Sequence, residues 1–338
     1  MNRILTLLAV IAASFCIVTT ASAGESGAVD YDNPIVELRA DPWIHRHTDG
    51  YYYFIGTVPE FNRLVLRRAR TINGLSDAEE VTIWQPTKQS SIGINIWAPE
   101  LHYFDDQWVI YFAGAPVDEP WMIRMHAITS TAANPLAGTW SKPVRMHTPW
   151  DDFSLDATSF AHDGKRYLVW AQKDPAKKYN SALYMAELES PVKIKEPVIM
   201  LTEPTLDWEI ITYKVNEGAA VFKKNGRIFM TYSASATDHN YAMGMLWADA
   251  DADLMKQESW HKLPEPVFYT NEAVKRFGPG HNSFTVAEDG ETDLLIYHSR
   301  DYKELQGTPL TDPNRDARAR VLHWDEQGFP VFGQELGD

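Results

Sequence analysis

The 338 residues contain one cysteine, Cys16, and it lies in the apolar stretch at the N-terminus. The rest of the chain has no thiol, which excludes disulfides and thiolate metal sites. Positive charge is also scarce. Lys and Arg total 31 against 46 Asp and Glu, a formal net charge of −15. That balance argues against nucleic acid or an anionic membrane as a partner, and no protein partner is evident. Sustained helical periodicity is missing, and Asp251 to Ser259 holds a single turn and no more. There is no Gly-rich phosphate loop, no His-Glu-x-x-His pair and no Gly-x-Ser-x-Gly elbow.

Long apolar runs are confined to one place. Arg3, the run Leu5 to Thr20 and the small residues Ala21-Ser22-Ala23 have the order of a secretory signal peptide, expected over residues 1–23. The run is too short and too weakly flanked for a stable membrane span. Ala13-Ser14-Phe15 before Cys16 is a poor lipidation context. The expectation is an exported protein, periplasmic or secreted. Residues 24–32 form a mobile lead-in, and residues 33–338 form one domain undivided by any linker.

Aromatic residues, by contrast, are plentiful: 12 Trp, 15 Tyr and 14 Phe. Most are expected to fill a core, and some to present rings to the CH-rich face of a sugar. Many fall in one motif that recurs five times, beginning at Asp49, Asp105, Asp163, Asn225 and Asp289. Each copy is a turn, usually Asp-Gly or Asn-Gly, followed by a run such as Tyr51-Tyr52-Tyr53-Phe54-Ile55 or Arg227-Ile228-Phe229-Met230. The turn residues supply the positive φ of a tight hairpin, and the runs suit buried strands. A second short run precedes every turn. Hairpins repeated about every 60 residues predict an all-β fold, a five-bladed β-propeller with blades longer than the common types. The tail, from Val321 to Phe332, is expected to supply the last outer strands.

Aligning the copies on their turns places an ionisable residue near one register of every first strand: Asp41, Glu100, Asp156, Glu217 and His281. Glu100 falls one side-chain alternation nearer its turn than the others. First strands line the central channel of a propeller, so these positions converge on one small volume. Taken singly, an Asp before Pro such as Asp41 is ordinarily a hydrogen-bonded turn residue. Three carboxylates in register raise one another's pKa, which a fold does not need and a catalytic site does.

Glycoside cleavage is the chemistry that best suits such a set. One carboxylic acid protonates the leaving oxygen, a carboxylate opposite activates water or attacks carbon, and a third orients the substrate. Facing positions across an axis leave room for a water, hence inversion of the anomeric centre. Trp97 is a candidate to stack on the sugar, with wall packing as the alternative. Arg300 is a candidate to reach a sugar hydroxyl or a carboxylate, with a surface ion pair as the alternative. His45-Arg46-His47 reads as solvated, Asp312 to Asp316 as a turn, and Asp207-Trp208-Glu209 as a segment that could rim the pocket.

The strings Arg39-Ala40-Asp41-Pro42, Trp97-Ala98-Pro99-Glu100-Leu101, Leu155-Asp156-Ala157-Thr158, Asn216-Glu217-Gly218 and Gly280-His281-Asn282-Ser283-Phe284 resemble those of family 43 glycoside hydrolases. Each is short, but five in order at the blade period are specific, and the likeness runs from about Asn33 to the C-terminus. It implies a five-bladed propeller acting on arabinans or xylans, with Asp41 as general base, Glu217 as general acid, and Asp156 orienting substrate and tuning the acid. Trp97, Glu100, His281 and Arg300 are the expected substrate contacts. The resemblance implies no required cofactor. It admits a Ca²⁺ or other ion in the channel, held beside His281 largely through waters. Gly218-Ala219 stands where most of the family has Gly-Pro. The phrases Ile55-Gly56-Thr57-Val58-Pro59-Glu60 and Leu66-Arg67-Arg68-Ala69 look most like exo-acting α-L-arabinofuranosidases that trim α-1,5-arabinan of plant cell walls. β-Xylosidase, endo-arabinanase and exo-galactanase activities remain alternatives on that scaffold, as does a non-catalytic sugar-binding propeller. A lyase or metal hydrolase would need ligands that the sequence does not offer.

Overall fold

The computed structural model describes residues 30–337, so the expected signal peptide lies outside the described residues. From Tyr31 onward the chain forms one compact unit. Four antiparallel four-stranded sheets and one of three strands follow in chain order. The first blade is β1 (Ala40–Arg46), β2 (Tyr52–Thr57), β3 (Leu64–Ala69) and β4 (Val81–Trp84). The second is β5 (Ile94–Phe104), β6 (Gln107–Ala115), β7 (Arg124–Ser130) and β8 (Val144–Arg145). The third is β9 (Ser154–His162), β10 (Lys165–Gln172), β11 (Ala182–Ser190) and β12 (Lys193–Thr202). The fourth is β13 (Asn216–Lys224), β14 (Arg227–Ala234), β15 (Ala242–Asp249) and β16 (His261–Lys262). The fifth is β17 (Phe277–Val286), β18 (Asp293–Arg300) and β19 (Asp316–Val321). This is the five-bladed propeller expected from the repeats, and helix among the described residues is limited to short 3₁₀ turns.

The repeated turns work as their chemistry requires. Gly164 and Gly226 have φ of 73° in open space, so the backbone conformation, and not crowding, calls for glycine. In the first copy Asp49 accepts from the Tyr51 N–H at 3.0 Å and from the Tyr53 hydroxyl at 2.7 Å, tying the turn to its strand. The aromatic runs then pack between blades. Tyr53, Trp108 and Phe112 are fully buried between the first and second blades, and Trp170 and Tyr184 between the second and third. Burying each such side chain stabilises the fold by about 1.5–3 kcal/mol.

Closure differs from the sequence expectation. The tail does not supply the missing strand of the fifth blade; β20 (His323–Trp324) and β21 (Pro330–Val331) make a separate hairpin. The free edge of β19 is covered from the other end of the chain. The Ile35 N–H donates to the Ala317 carbonyl at 2.9 Å, and the Ala317 N–H donates to the Val36 carbonyl at 2.9 Å. The Asn33 side chain bonds both backbone groups of Ala319 at 2.8 Å. Tyr31, assigned to the lead-in from sequence, is buried, with its hydroxyl 3.3 Å from Glu288. Pairing the N-terminus with the last blade satisfies an edge that would otherwise be exposed.

The innermost strands β1, β5, β9, β13 and β17 meet around the axis. Each carries a register shift at the same height, between Ala40 and Trp43, Trp97 and Glu100, Leu155 and Thr158, Glu217 and Ala220, and Gly280 and Ser283. Within each bulge one residue is left-handed: Asp41 (φ 55°), Ala98 (45°), Asp156 (55°), Gly218 (57°) and His281 (43°). A left-handed conformation costs an ordinary residue roughly 1–2 kcal/mol. Its repetition in all five blades marks the ring where side chains are re-aimed.

Candidate active site

The bulges sort the sequence candidates. Asp41, Asp156 and His281 are equivalent positions in their blades. Glu217 precedes its blade's left-handed residue, Gly218. Asp41, Asp156, Glu217 and His281 all line one cavity of about 760 Å³, together with Trp97 and Arg315. The three carboxylates, distant in sequence, therefore share one pocket.

Asp41 is the most heavily tethered. Its Oδ2 accepts from the Thr57 hydroxyl at 2.5 Å, and that hydroxyl accepts the Ala98 N–H at 2.8 Å. Its Oδ1 lies 3.3 Å from His281 Nδ1 and 3.5 Å from Arg315 Nη1. The Asp41 N–H donates to His298 Nδ1 at 3.0 Å, which fixes the proton of that neutral ring on Nε2. Burial opposes ionisation of Asp41. His281, Arg315 and the Thr57 hydroxyl outweigh it and draw the carboxyl down to about 2.

Glu217 is driven the other way. Burial and the Asp41 charge raise it to about 7, against the hydrogen bond from Tyr241 and the charge of Arg315. The Tyr241 hydroxyl donates to Glu217 Oε1 at 2.9 Å. Asp156 is pushed well above the ordinary carboxyl range by burial and by the charges of Glu217 and Asp41. Its Oδ2 accepts the Gly218 N–H at 3.0 Å, while its Oδ1 is buried without a partner. One pocket therefore holds an ionised carboxylate and a carboxyl that keeps its proton to near neutrality, the pairing that acid–base chemistry requires.

Trp97 lines the cavity, edge-on to Phe61 and to the exposed Trp121. Glu100 and Arg300 are corrections. Neither lines the cavity. Glu100 lies beyond the bulge, buried, with Oε2 3.0 Å from His102 Nε2. Arg300 is buried behind the site, donating to the Thr237 carbonyl at 3.0 Å and the Asp312 carbonyl at 3.2 Å. Its place at the pocket is taken by Arg315, inside the segment assigned to a turn. Glu209 does not rim the pocket; it is fully buried and accepts from Asn216, Tyr232 and Lys262. His45 is not solvated but packs edge-on against Trp108. Tyr241, Arg315 and Thr57 escaped sequence reading because none lies on an innermost strand. Tyr241 and Arg315 also fall outside the repeated motif.

An ion at His281 would find few protein donors. His281 Nδ1 faces Asp41, and among the described residues no group of three or more His, Cys, Asp or Glu is arranged to hold a metal. The side chains present do not form a cage for Ca²⁺.

Comparison with known proteins gives a consistent picture. The model for "Glycosyl hydrolases family 43" matches residues 31–330. The chain is 50% identical over 318 residues to an extracellular exo-α-(1→5)-L-arabinofuranosidase of Streptomyces avermitilis, covering 94% of this chain and 66% of that protein. It is 51% identical over 332 residues to α-L-arabinofuranosidase 43 of Humicola insolens, covering 98% and 68%. It thus spans about two thirds of the length of these relatives. The crystal structure of an α-L-arabinofuranosidase from Lactobacillus brevis superimposes with a TM-score of 0.87 at 49% identity, covering 91% of this chain and 98% of that one.

Proposed function

The chain belongs to the glycosyl hydrolases of family 43, and from that premise we propose that it is an inverting exo-α-L-arabinofuranosidase. It releases L-arabinofuranose from the ends of α-1,5-linked arabinan or arabino-oligosaccharides of plant cell walls. The observation that carries the chemistry is the convergence of Asp41, Asp156 and Glu217 on one cavity, where Thr57 and Arg315 hold Asp41 toward its ionised form while burial holds Glu217 toward its protonated form. The names of the relatives support the substrate. The name of the Streptomyces avermitilis relative, which calls it extracellular, supports export by way of the expected signal peptide at residues 1–23.

In this proposal Asp41, ionised and held by Thr57 and Arg315, takes a proton from a water on one face of the terminal sugar. That water forms a bond to the anomeric carbon as the bond to the leaving oxygen breaks. The proton of Glu217 passes to the leaving oxygen, so the carboxylates exchange charge states once per turnover. Asp156 offers its unpartnered Oδ1 to a sugar hydroxyl, and Trp97 presents a ring at the wall. Inversion requires the acid and base carboxyls to stand roughly 6.5–9.5 Å apart, leaving room for the water.

Incubation with linear arabinan, followed by chromatography, is expected to release monosaccharide from the outset without intermediate oligomers. Proton NMR of the first product is expected to show the anomer opposite to the substrate's. Early release of mixed oligomers would overturn exo action, and retention of configuration would overturn the role given to Asp41.

A further inference from the structure

We propose that Tyr241 is a positioning residue for the acid step: its hydroxyl selects which oxygen of Glu217 carries the proton and steadies the carboxylate left once the proton has gone. This rests on Glu217 being the acid and goes beyond it by assigning a role to a side chain outside the carboxylate set.

Tyr241 is 1% exposed and immediately precedes β15, in the same blade as Glu217. Its position is set by fit on several sides. The ring lies parallel to the His298 imidazole, with 3° between planes and 5.8 Å between centroids. Its backbone N–H donates to the Asp238 carbonyl at 3.1 Å. A Cβ on Gly280 would come within 2.5 Å of Tyr241 Cε1, so the fifth blade's innermost strand leaves a slot for this ring that only glycine allows. His298 in turn accepts the Asp41 N–H. One ring is thus packed against the support of the base while its hydroxyl holds the acid.

The hydroxyl donates to Glu217 Oε1 at 2.9 Å. Burial and the nearby carboxylates hold the phenol well above its ordinary range, so it stays a donor throughout turnover. In a neutral carboxyl the carbonyl oxygen is the stronger acceptor, so a donor held at Oε1 favours the proton on Oε2. When the proton moves to the leaving oxygen, the negative charge left on Glu217 already has a donor in place, and no reorganisation is needed at that moment. The other charged groups acting on this carboxyl are Asp41 from the first blade, Arg315 from the loop before β19, and Asp156 from the third blade, whose own ionisation is coupled to it. His281 of the fifth blade packs over Gly218, the next residue. Of these, Tyr241 alone donates a hydrogen bond to the carboxyl, and losing that bond favours the neutral form.

Tyr241→Phe keeps the ring, its stack on His298 and its fit over Gly280, and deletes only the hydroxyl. The variant is expected to fold with a near-normal melting temperature. The alkaline limb of its kcat profile is expected to move up by about one pH unit, because a bond favouring the ionised carboxyl is lost. Turnover on arabinotriose, whose leaving alcohol needs a proton, should fall about 10- to 100-fold. Turnover on 4-nitrophenyl α-L-arabinofuranoside, which needs little acid help, should stay within about threefold. A packing role alone would lower both substrates together and leave the alkaline limb in place, and that result would overturn the proposal. Carbon-13 NMR titration of the glutamate carboxyls separates the two layers of the argument, with Glu217→Gln identifying the signal. If the Glu217 signal titrates at the same pH in wild type and variant, the link to Tyr241 is wrong. If it moves while the kinetic limb does not, the link stands and the assignment of Glu217 as the acid fails, taking the proposal with it.

Discussion

The backbone N–H of Gly218 donates to Asp156 Oδ2 at 3.0 Å, joining the third blade to the residue that follows Glu217 in the fourth. The bond depends on both bulges, since Asp156 and Gly218 are the left-handed residues of their strands. Asp156→Asn keeps an oxygen to accept it, whereas Asp156→Ala leaves a buried N–H unpaired at a cost of about 1–3 kcal/mol. Thermal unfolding should therefore show a clear fall in melting temperature for the Ala variant and little for the Asn variant. Both should lose activity on arabino-oligosaccharides by about 10²-fold or more if the carboxyl orients substrate. An Asn variant with full activity would remove Asp156 from the site.

Glu217 links activity to stability. A carboxyl raised from 4.5 to about 7 on folding favours the fold fully below pH 4.5. That contribution is lost as pH rises through about 7. Glu217→Gln, neutral at every pH, escapes the loss. At pH 8 it is expected to melt higher than wild type while turning over arabinotriose about 10²–10⁴-fold more slowly. Calorimetry at pH 4.5 and 8 tests the sign: the advantage of the variant should grow with pH, and an advantage independent of pH would mean that Glu217 is not buried and raised as described.

The fold was legible because a turn followed by an aromatic strand leaves a mark at every blade, and Asp41, Asp156 and Glu217 were found through it. The same alignment misplaced Glu100. Glu100 sits on the turn side of the bulge, in the regular part of the ladder, where it shares a face with His102, whereas the positions re-aimed into the cavity lie within the bulge, farther from the turn. Arg300 was misread because β18 looks continuous with the site in sequence, while its end is buried under the loop that carries Asp312 and Arg315. Arg315 left no signal, since it sits in no repeat and its loop is ordered by tertiary bonds such as that from Tyr302 to Asp312, at 2.8 Å. The closing contact of Ile35 and Val36 with Ala317 was equally unreadable, because a single bridge needs no strand-like pattern.

Arg315 is one of the groups that hold Asp41 at about 2 and Glu217 no higher than about 7. Removing its charge should raise both. Arg315→Gln is therefore expected to shift the whole pH–rate profile upward, bringing the acid limb, otherwise below the usable range, into view at about pH 3–4. The check is kcat/KM from pH 3 to 9 on an aryl arabinofuranoside. A variant whose limbs stay where they are in wild type would show that Arg315 acts on substrate alone.

Glu100 and Trp97 make the sharpest contrast between neighbours on one strand. Burial holds Glu100 well above the ordinary carboxyl range, favouring its neutral form. Gln in its place keeps the shape, the uncharged state and an oxygen that can meet His102. Glu100→Gln should leave kcat and KM on arabinotriose within about twofold and the melting temperature nearly unchanged, as expected of an isosteric change outside a site. Trp97→Ala strips a ring from the cavity wall, beside Phe61 and Trp121. It should raise KM by about 10-fold or more, as a ring pressed against sugar would. Kinetics on the two variants decide between the register read from the turns and the register set by the bulge. If Glu100→Gln were the damaging change and Trp97→Ala the silent one, the innermost strand of the second blade would present the opposite face to the substrate.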